Sequence, residues 1–214
     1  MARATFENLP EIKRDKIVTA GIRAFSGKLY QNVSMDSIAK ECQISKGILF
    51  HYFGSKKGYY LYCLEKAMQR LTAETSAPEE GDFYEVLFDS MNRKIALCTH
   101  YPHEMHLVNM ASRDISVEIA QEKGELVRKY MAAVHQESAN TVRLAFRSLP
   151  HINKANRQRA AQGLHIYIRA IISRFLMQYQ NHPDLFFANK EAVKEEMRTY
   201  LDLMLYGICE REIT

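Results

Sequence analysis

Glycine and proline are scarce in this chain, 9 and 5 among 214 residues, which is lean for a protein built of sheets and turns. No stretch alternates apolar and polar residues with a period of two, and no Asn-Gly or Asp-Gly pair marks a hairpin. No apolar run approaches the roughly 20 residues needed to cross a bilayer. Nothing behind the opening Met-Ala-Arg-Ala-Thr reads as a secretory leader. The four cysteines, Cys42, Cys63, Cys98 and Cys209, form no CxxC pair. Neither a disulfide framework nor a structural zinc site is expected, and each is read as a small core residue in a reducing, cytoplasmic setting. A nucleophile elbow, an HExxH helix, a phosphate-binding glycine loop and a carboxylate pair in a catalytic setting are all missing. The expectation is therefore a non-enzyme without a cofactor.

What remains is ample for a folded helical protein. Hydrophobic residues make up 47%, enough for a real core, and the 25% of charged residues is ordinary for an ordered chain. The net charge of +4 is unevenly spread. Residues 1–60 hold ten Lys/Arg against five acids, whereas the rest holds nineteen against twenty. The excess points to a polyanionic partner for the first quarter alone.

Apolar residues recur with helical spacing throughout. Ile17, Ala20, Gly21, Ala24 and Phe25 line one face, and Tyr60, Leu64, Ala67, Met68 and Leu71 line another. Leu164, Ile168, Ile171, Ile172 and Phe175 form a third stripe, and Val193, Met197, Leu201, Met204 and Ile208 a fourth. Pro10, Pro78, Pro102, Pro150 and Pro183 fall between such segments, at expected helix boundaries. The predicted fold is all-α, with about nine helices.

The segment Val33 to Lys57 is the most informative. Ser34 is placed to cap a helix ending near Cys42, and Ser45 to cap a second from Lys46 to Phe53. Three residues, Gln43, Ile44 and Ser45, make the turn. Ala39 stands at the crossing, with Ile44 and Leu49 as inward anchors. This is the pattern of a helix-turn-helix. Lys46, Lys56 and Lys57 all lie at helix N-termini, where a cation opposes the helix dipole at a cost of about 0.3–1 kcal/mol. Such a placement is explained by an anion bound nearby. Gly47 lets the second helix approach a base edge, Lys46 reaches a guanine edge, and Ile48 suits a thymine methyl. Ser45, His51 and Tyr52 are donors for phosphate oxygens. Phe50 and Phe53 are read as core.

The linked motifs I-V-x-A-G-x-x-x-F (Ile17 to Phe25), S-M-x-x-I-A (Ser34 to Ala39) and I-S-K-G-x-L-F-H-Y-F-G-S-K (Ile44 to Lys56) resemble those of the TetR (tetracycline-repressor-like) family of bacterial regulators. The resemblance runs from about Arg14 to Leu64. It implies that Lys46, Gly47 and Ile48 face bases, and that Ser34, Ser45, His51, Tyr52 and Lys56 face the phosphate backbone of double-stranded DNA. It implies an N-terminal three-helix DNA-binding domain, residues 1–56, followed by a helical ligand-binding and dimerisation domain, residues 57–214. The function so implied is that of a repressor released from a palindromic operator by a small molecule. Gln43 stands where the family usually has Gly, so the turn asks a non-glycine residue for a left-handed backbone. Leu29 replaces a frequent loop Gly, and Phe50 a common Tyr.

The helices around 160–181 and 190–210 are expected to form a homodimer, because a two-fold helix-turn-helix needs two half-sites about one DNA turn, roughly 34–36 Å, apart. Methionines and aromatics in the middle of the chain suit an apolar or aromatic effector, with Phe88, Met91, Met105, Met110, Tyr130 and Phe175 as the candidate pocket. His100, His103 and His106 recur at spacing three beside Glu104 and Cys98, but Pro102 interrupts the segment and no metal site is assigned. Two rivals stand beside the regulator: a helical enzyme with a basic start, and a small-molecule-binding protein without DNA binding.

Overall fold

A computed structural model describes residues 4–73, 81–149 and 157–206. Among these residues there is no strand. The α-helices are α1 (Ala4–Glu7), α2 (Glu11–Ser26), α3 (Met35–Cys42), α4 (Lys46–Phe53), α5 (Lys56–Ala73) and α6 (Phe83–His100), then α7 (Pro102–Arg113), α8 (Ala120–Arg147), α9 (Arg157–Tyr179), α10 (Pro183–Ala188) and α11 (Lys190–Tyr206). Setting aside the short α1 and α10 leaves nine, as the apolar spacing predicts. Pro78, Pro150, Cys209 and Ile208 lie outside the described residues. Pro102 and Pro183 each open a helix, α7 and α10, and Pro10 caps α2. The missing N–H of proline costs nothing at such positions.

The chain packs as two compact units. One is Met1–Glu74 with Tyr101–Val134, and the other is Thr75–His100 with His135–Thr214. The division of packing therefore falls elsewhere than the functional cut expected after residue 56, and α8 contributes to both units.

In the first unit α2, α5 and α7 pack on one another, and α3 and α4 complete the bundle. Ile17, Ile22 and Phe25 of α2 meet Tyr59, Cys63 and Leu64 of α5, with Leu107 and Ala111 of α7 closing the core. Gly21 is where α2 and α5 come closest. A Cβ there would lie 2.4 Å from Cys63 Sγ and 2.5 Å from Tyr59 Oη. Tyr59 uses that proximity to donate to the carbonyl of Ile17 at 2.5 Å. Burial raises the Tyr59 pKa, so the hydroxyl stays a donor. Phe6 of α1 is fully buried, with its ring 4.7 Å from that of Phe53. A four-residue helix has no periodicity to read, so sequence spacing gave no hint of it.

The second unit gathers α6, the end of α8, α9, α10 and α11 around Leu87, Met91, Ile168, Phe175, Phe186 and Met197. The apolar stripes of α9 and α11 named above fill this core: Leu164, Ile168, Ile171, Ile172 and Phe175 are buried, as are Val193, Met197 and Leu201. A different set of apolar side chains on the same helices faces outward, with Ile166 71%, Met177 73% and Tyr206 75% exposed. Among the described residues no helix is long and apolar enough to cross a membrane.

Candidate nucleic-acid interface

Two serines and one glutamine build the motif. Ser34 sits in extended backbone before α3, and its Oγ accepts the N–H of Ser37 at 3.3 Å. The helix ends at Cys42, and Gln43 takes the left-handed conformation, φ 59 and ψ 39. It is the only non-glycine residue with positive φ among those described. The N–H of Gln43 donates to Lys40 and that of Ile44 to Ala39, at 3.1 and 3.0 Å. This paired closure satisfies the last carbonyls and turns the chain sharply. The left-handed backbone demanded of Gln43 is thus present. Lys16 Nζ donates to Gln43 Oε1 at 3.0 Å, which steadies the turn from α2. Leu29, by contrast, has φ −57, so a side chain there costs nothing.

Ser45 then caps α4, its Oγ accepting the N–H of Ile48 at 3.2 Å. Leu49 and Phe53, four apart, are buried and fix which face of α4 turns inward. Ile44 and Phe50 are half-buried against the same core. The opposite edge carries Ser45, Lys46, Gly47, Ile48 and His51, all exposed. A Cβ on Gly47 would meet nothing closer than Ser45 Oγ at 3.7 Å. The fold has room for a side chain there, so the bare backbone of Gly47 is an open approach. Tyr52 is half-buried, its ring 5.4 Å from that of Phe6, with the remainder facing solvent beside His51. Ser34 and Ser45 accept from the backbone as caps but keep their O–H free to donate outward.

The three lysines at helix N-termini each have a protein partner, which the sequence did not disclose. Lys46 pairs with Asp36 at 2.8 Å. Lys57 pairs with Glu122 at 2.6 Å and holds that carboxyl below its usual range. Lys56 donates to the Gln31 carbonyl at 3.0 Å and lies 4.8 Å over the ring of Tyr30. Burial lowers the Lys56 pKa, opposed by the nearby charge of Glu118. The unfavourable dipole term is therefore relieved within the protein, without an anion from outside. The Lys46–Asp36 pair is exposed, and pairs of that kind are weak, about 0–1 kcal/mol, so a phosphate competes with Asp36 on easy terms. Lys56 is the least free of the predicted contacts.

Tyr30 is a second residue that spacing missed, because it lies in a single 3-10 turn, Tyr30–Asn32. Its N–H donates to Asp114 at 2.7 Å and its hydroxyl to Glu118 at 2.8 Å. The Ser116 N–H donates to the other Asp114 oxygen at 2.9 Å. Burial pushes the Asp114 carboxyl up, yet these hydrogen bonds and Lys123 outweigh it and hold the pKa below the ordinary value.

The six candidate pocket residues divide between the two packing units. Phe88, Met91 and Phe175 are buried in the core of the second unit, Phe88 stacked on Phe186 at 6.2 Å. Met105, Met110 and Tyr130 are half-buried in the first unit. Tyr130 alone among the six borders a described cleft, a small one of about 100 Å³ with Met68 and Leu126. A larger cleft of about 580 Å³ opens between α8 and α9, lined by Val142, Phe146, Ala161 and Ile166 with Arg143 and His165. Met spacing along the sequence gave no sign of it. Among the described residues no three His, Cys, Asp or Glu side chains are arranged to hold a metal. His103 faces Ser26 at 3.4 Å, and Glu104 is paired with Arg70 at 2.8 Å. Cys42, Cys63 and Cys98 are free and buried.

Comparison with known proteins agrees with this geometry. The family model described as "Bacterial regulatory proteins, tetR family" matches residues 17–62, from α2 through the helix-turn-helix into α5. The regulator UidR of Escherichia coli is 32% identical over 87 residues, 41% of this chain and 43% of UidR. The alignment thus spans less than half of that relative's length. The negative regulator of the biofilm operon icaADBC, IcaR of Staphylococcus aureus, is 43% identical over 47 residues, 22% of this chain and 25% of IcaR. The crystal structure of the regulator FadR from Bacillus subtilis, in complex with stearoyl-CoA, superposes with a TM-score of 0.59 at 14% identity, covering 91% of this chain and 98% of FadR. That likeness is one of fold. Residues 17–62, with their motifs and the left-handed turn between α3 and α4, thus match the tetR family of bacterial regulatory proteins, and the all-helical architecture is similar in fold to solved regulators.

Proposed function

We propose that this protein is a homodimeric, ligand-responsive transcriptional regulator that binds a palindromic DNA operator through α4. The observation that carries the reading is the exposed edge of α4. There, a capped helix N-terminus, a lysine with only a weak partner and a glycine without steric neighbours stand together. An α-helix presented in this way fits the major groove. Lys46, Gly47 and Ile48 meet base edges. Ser34, Ser45, His51, Tyr52 and Lys56 meet phosphates, Lys56 after leaving Gln31. Residues 1–56 supply DNA binding and residues 57–214 supply regulation. The outward apolar side chains of α9 and α11, Ile166, Met177 and Tyr206 among them, supply the dimer contact. Such residues on a monomer surface are otherwise a liability.

The protein acts in the cytoplasm, where its DNA lies, and it is not an enzyme. It acts as a repressor that a small molecule releases. IcaR, named as a negative regulator, and FadR, crystallised with stearoyl-CoA, support these two parts of the reading.

Selection of bound duplexes from a random pool tests the function and yields the operator, which is expected to be an inverted repeat. Recovery of no enriched sequence overturns the reading. Lys46→Ala is expected to weaken binding and relax base preference, while Tyr52→Ala weakens all duplexes alike. Light scattering at micromolar concentration is expected to give twice the chain mass, and a monomer contradicts the dimer.

A further inference from the structure

The buried polar side-chain atoms without a partner, among the described residues, all belong to α6. Ser90 is 1% exposed, and its Oγ has no hydrogen-bond partner. One turn later Nη2 of Arg93 is buried and equally unpartnered. Positions 90, 93 and 94 are three and four apart, so Ser90, Arg93 and Lys94 share one face of the helix. Asn92, whose Oδ1 is also unanswered, falls outside that face by its spacing.

Lys94 shows where the face points. Its largely buried side chain reaches Glu137 of α8 at 3.7 Å. Thr141, one turn along α8 and buried, donates to the same carboxylate at 3.1 Å. Close backbone approaches of α6 are to α9, α10 and α11, whereas Lys94 reaches α8 through its ion pair with Glu137. Space between helices of a bundle, lined by convergent polar groups, is where such folds hold small molecules.

The charges there do not cancel. Lys94 is paired with Glu137, and the positive charges of Arg93 on α6 and Arg169 on α9 both act on Lys94. Burial lowers the Lys94 pKa; Glu137 opposes that, and the repulsion of Arg93 and Arg169 reinforces it. A guanidinium N–H buried without an acceptor is costly, and so is a hydroxyl. Water meets the hydrogen bonds but leaves the charge. An oxyanion meets both, since it accepts from several donors and neutralises a cation.

We infer that Ser90, Arg93 and Lys94 form a subsite for an anionic group, carboxylate or phosphate, of the molecule that regulates this protein. The inference rests on the ligand-responsive reading above and makes its effector an acid with an apolar body rather than a neutral apolar compound. Arg93 supplies paired N–H donors, Ser90 donates its O–H to one oxygen, and Lys94, now shared with Glu137, adds charge.

The test uses the full chain and three probes of equal carbon length: octanoate, octyl phosphate and octanol. Calorimetry and thermal unfolding are read for each. One or both anions are expected to bind and raise Tm, with octanol at the same concentration giving no comparable shift. Binding by octanoate alone or by octyl phosphate alone identifies the headgroup. Arg93→Met is expected to weaken anion binding about tenfold or more, and Arg93→Lys to restore part of it. Ser90→Ala removes one oxygen atom and keeps the test sound if Arg93→Met fails to fold; it is expected to weaken anion binding severalfold. The inference is overturned if octanol binds as well as the anions, if neither anion binds, or if affinity is unchanged in Ser90→Ala and in every folded Arg93 variant. The same preparations are assayed on the selected duplexes. DNA binding without anion binding ends this inference alone, and anion binding without DNA binding ends the regulator reading alone.

Discussion

The two packing units treat their buried polar groups differently. In the first, the described buried side-chain nitrogens and oxygens are all answered: Tyr59 by Ile17, Asp114 by Tyr30 and Ser116, Glu104 by Arg70. In the second, Ser90, Asn92 and Arg93 are left open. The first also carries a dense aromatic cluster in which Phe6, Phe53, Tyr59 and Tyr62 lie within 4.6–5.5 Å of one another as successive neighbours. On the proposed reading, the unit that presents α4 is held by saturated bonding and stiff rings, and the unit that receives the effector keeps unmet valence.

The sharpest way to break this contrast is to create an unanswered group in the first unit. Arg70→Met strips Glu104, which is 6% exposed, of its cation. Urea unfolding is expected to show a loss of about 3 kcal/mol. The matching change in the second unit, Arg93→Met, removes a guanidinium whose buried Nη2 lacks a partner and is expected to leave ligand-free stability equal or higher. Losses of similar size in both would erase the distinction. Next in size is Gly21→Ala, which forces a methyl against Cys63 and Tyr59 and is expected to cost about 1–3 kcal/mol by the same measurement.

A smaller effect follows from Asp114. Its carboxyl is held below the ordinary range in the folded state, so its contribution is fully present above the unfolded pKa of about 3.9 and is lost as pH falls through the folded value. Acid titration of stability is expected to be shallower below about pH 4 in Asp114→Asn than in the parent. An unchanged titration refutes the assignment. The smallest change is a gain: Gln43→Gly relieves the left-handed backbone and is expected to add about 0.5–1 kcal/mol, less whatever the Lys16 hydrogen bond contributes.

Much of the first unit was legible in the sequence. Ser34 and Ser45 act locally, each closing on an N–H three residues ahead, so their spacing reads directly as helix starts. The left-handed turn was legible through the mismatch of Gln43 with a position that asks for glycine. The pairing of Tyr30 with Asp114 joins positions 84 residues apart, and no local pattern encodes it. The same holds for the lysine partners: Asp36 and Glu122 look like ordinary surface acids until the fold brings them to Lys46 and Lys57. The residues of the methionine-based pocket fall in both packing units, because helical spacing shows that a side chain is buried without showing which neighbours surround it. Ser90, Arg93 and Lys94 stand beside Met91 on α6, and spacing alone does not show that polar atoms among them are buried.

The Asp36–Lys46 pair has one more consequence, for counting ions. A lysine that meets DNA bare releases condensed cations from the duplex, and each such neutralised phosphate adds about 0.9 to the slope of log affinity against log salt. Lys46 arrives with a carboxylate beside it. Asp36, once displaced, must recover its own cation from solution, which cancels part of the release. On the proposed reading the operator complex tolerates ionic strength better than a tally of its basic residues suggests.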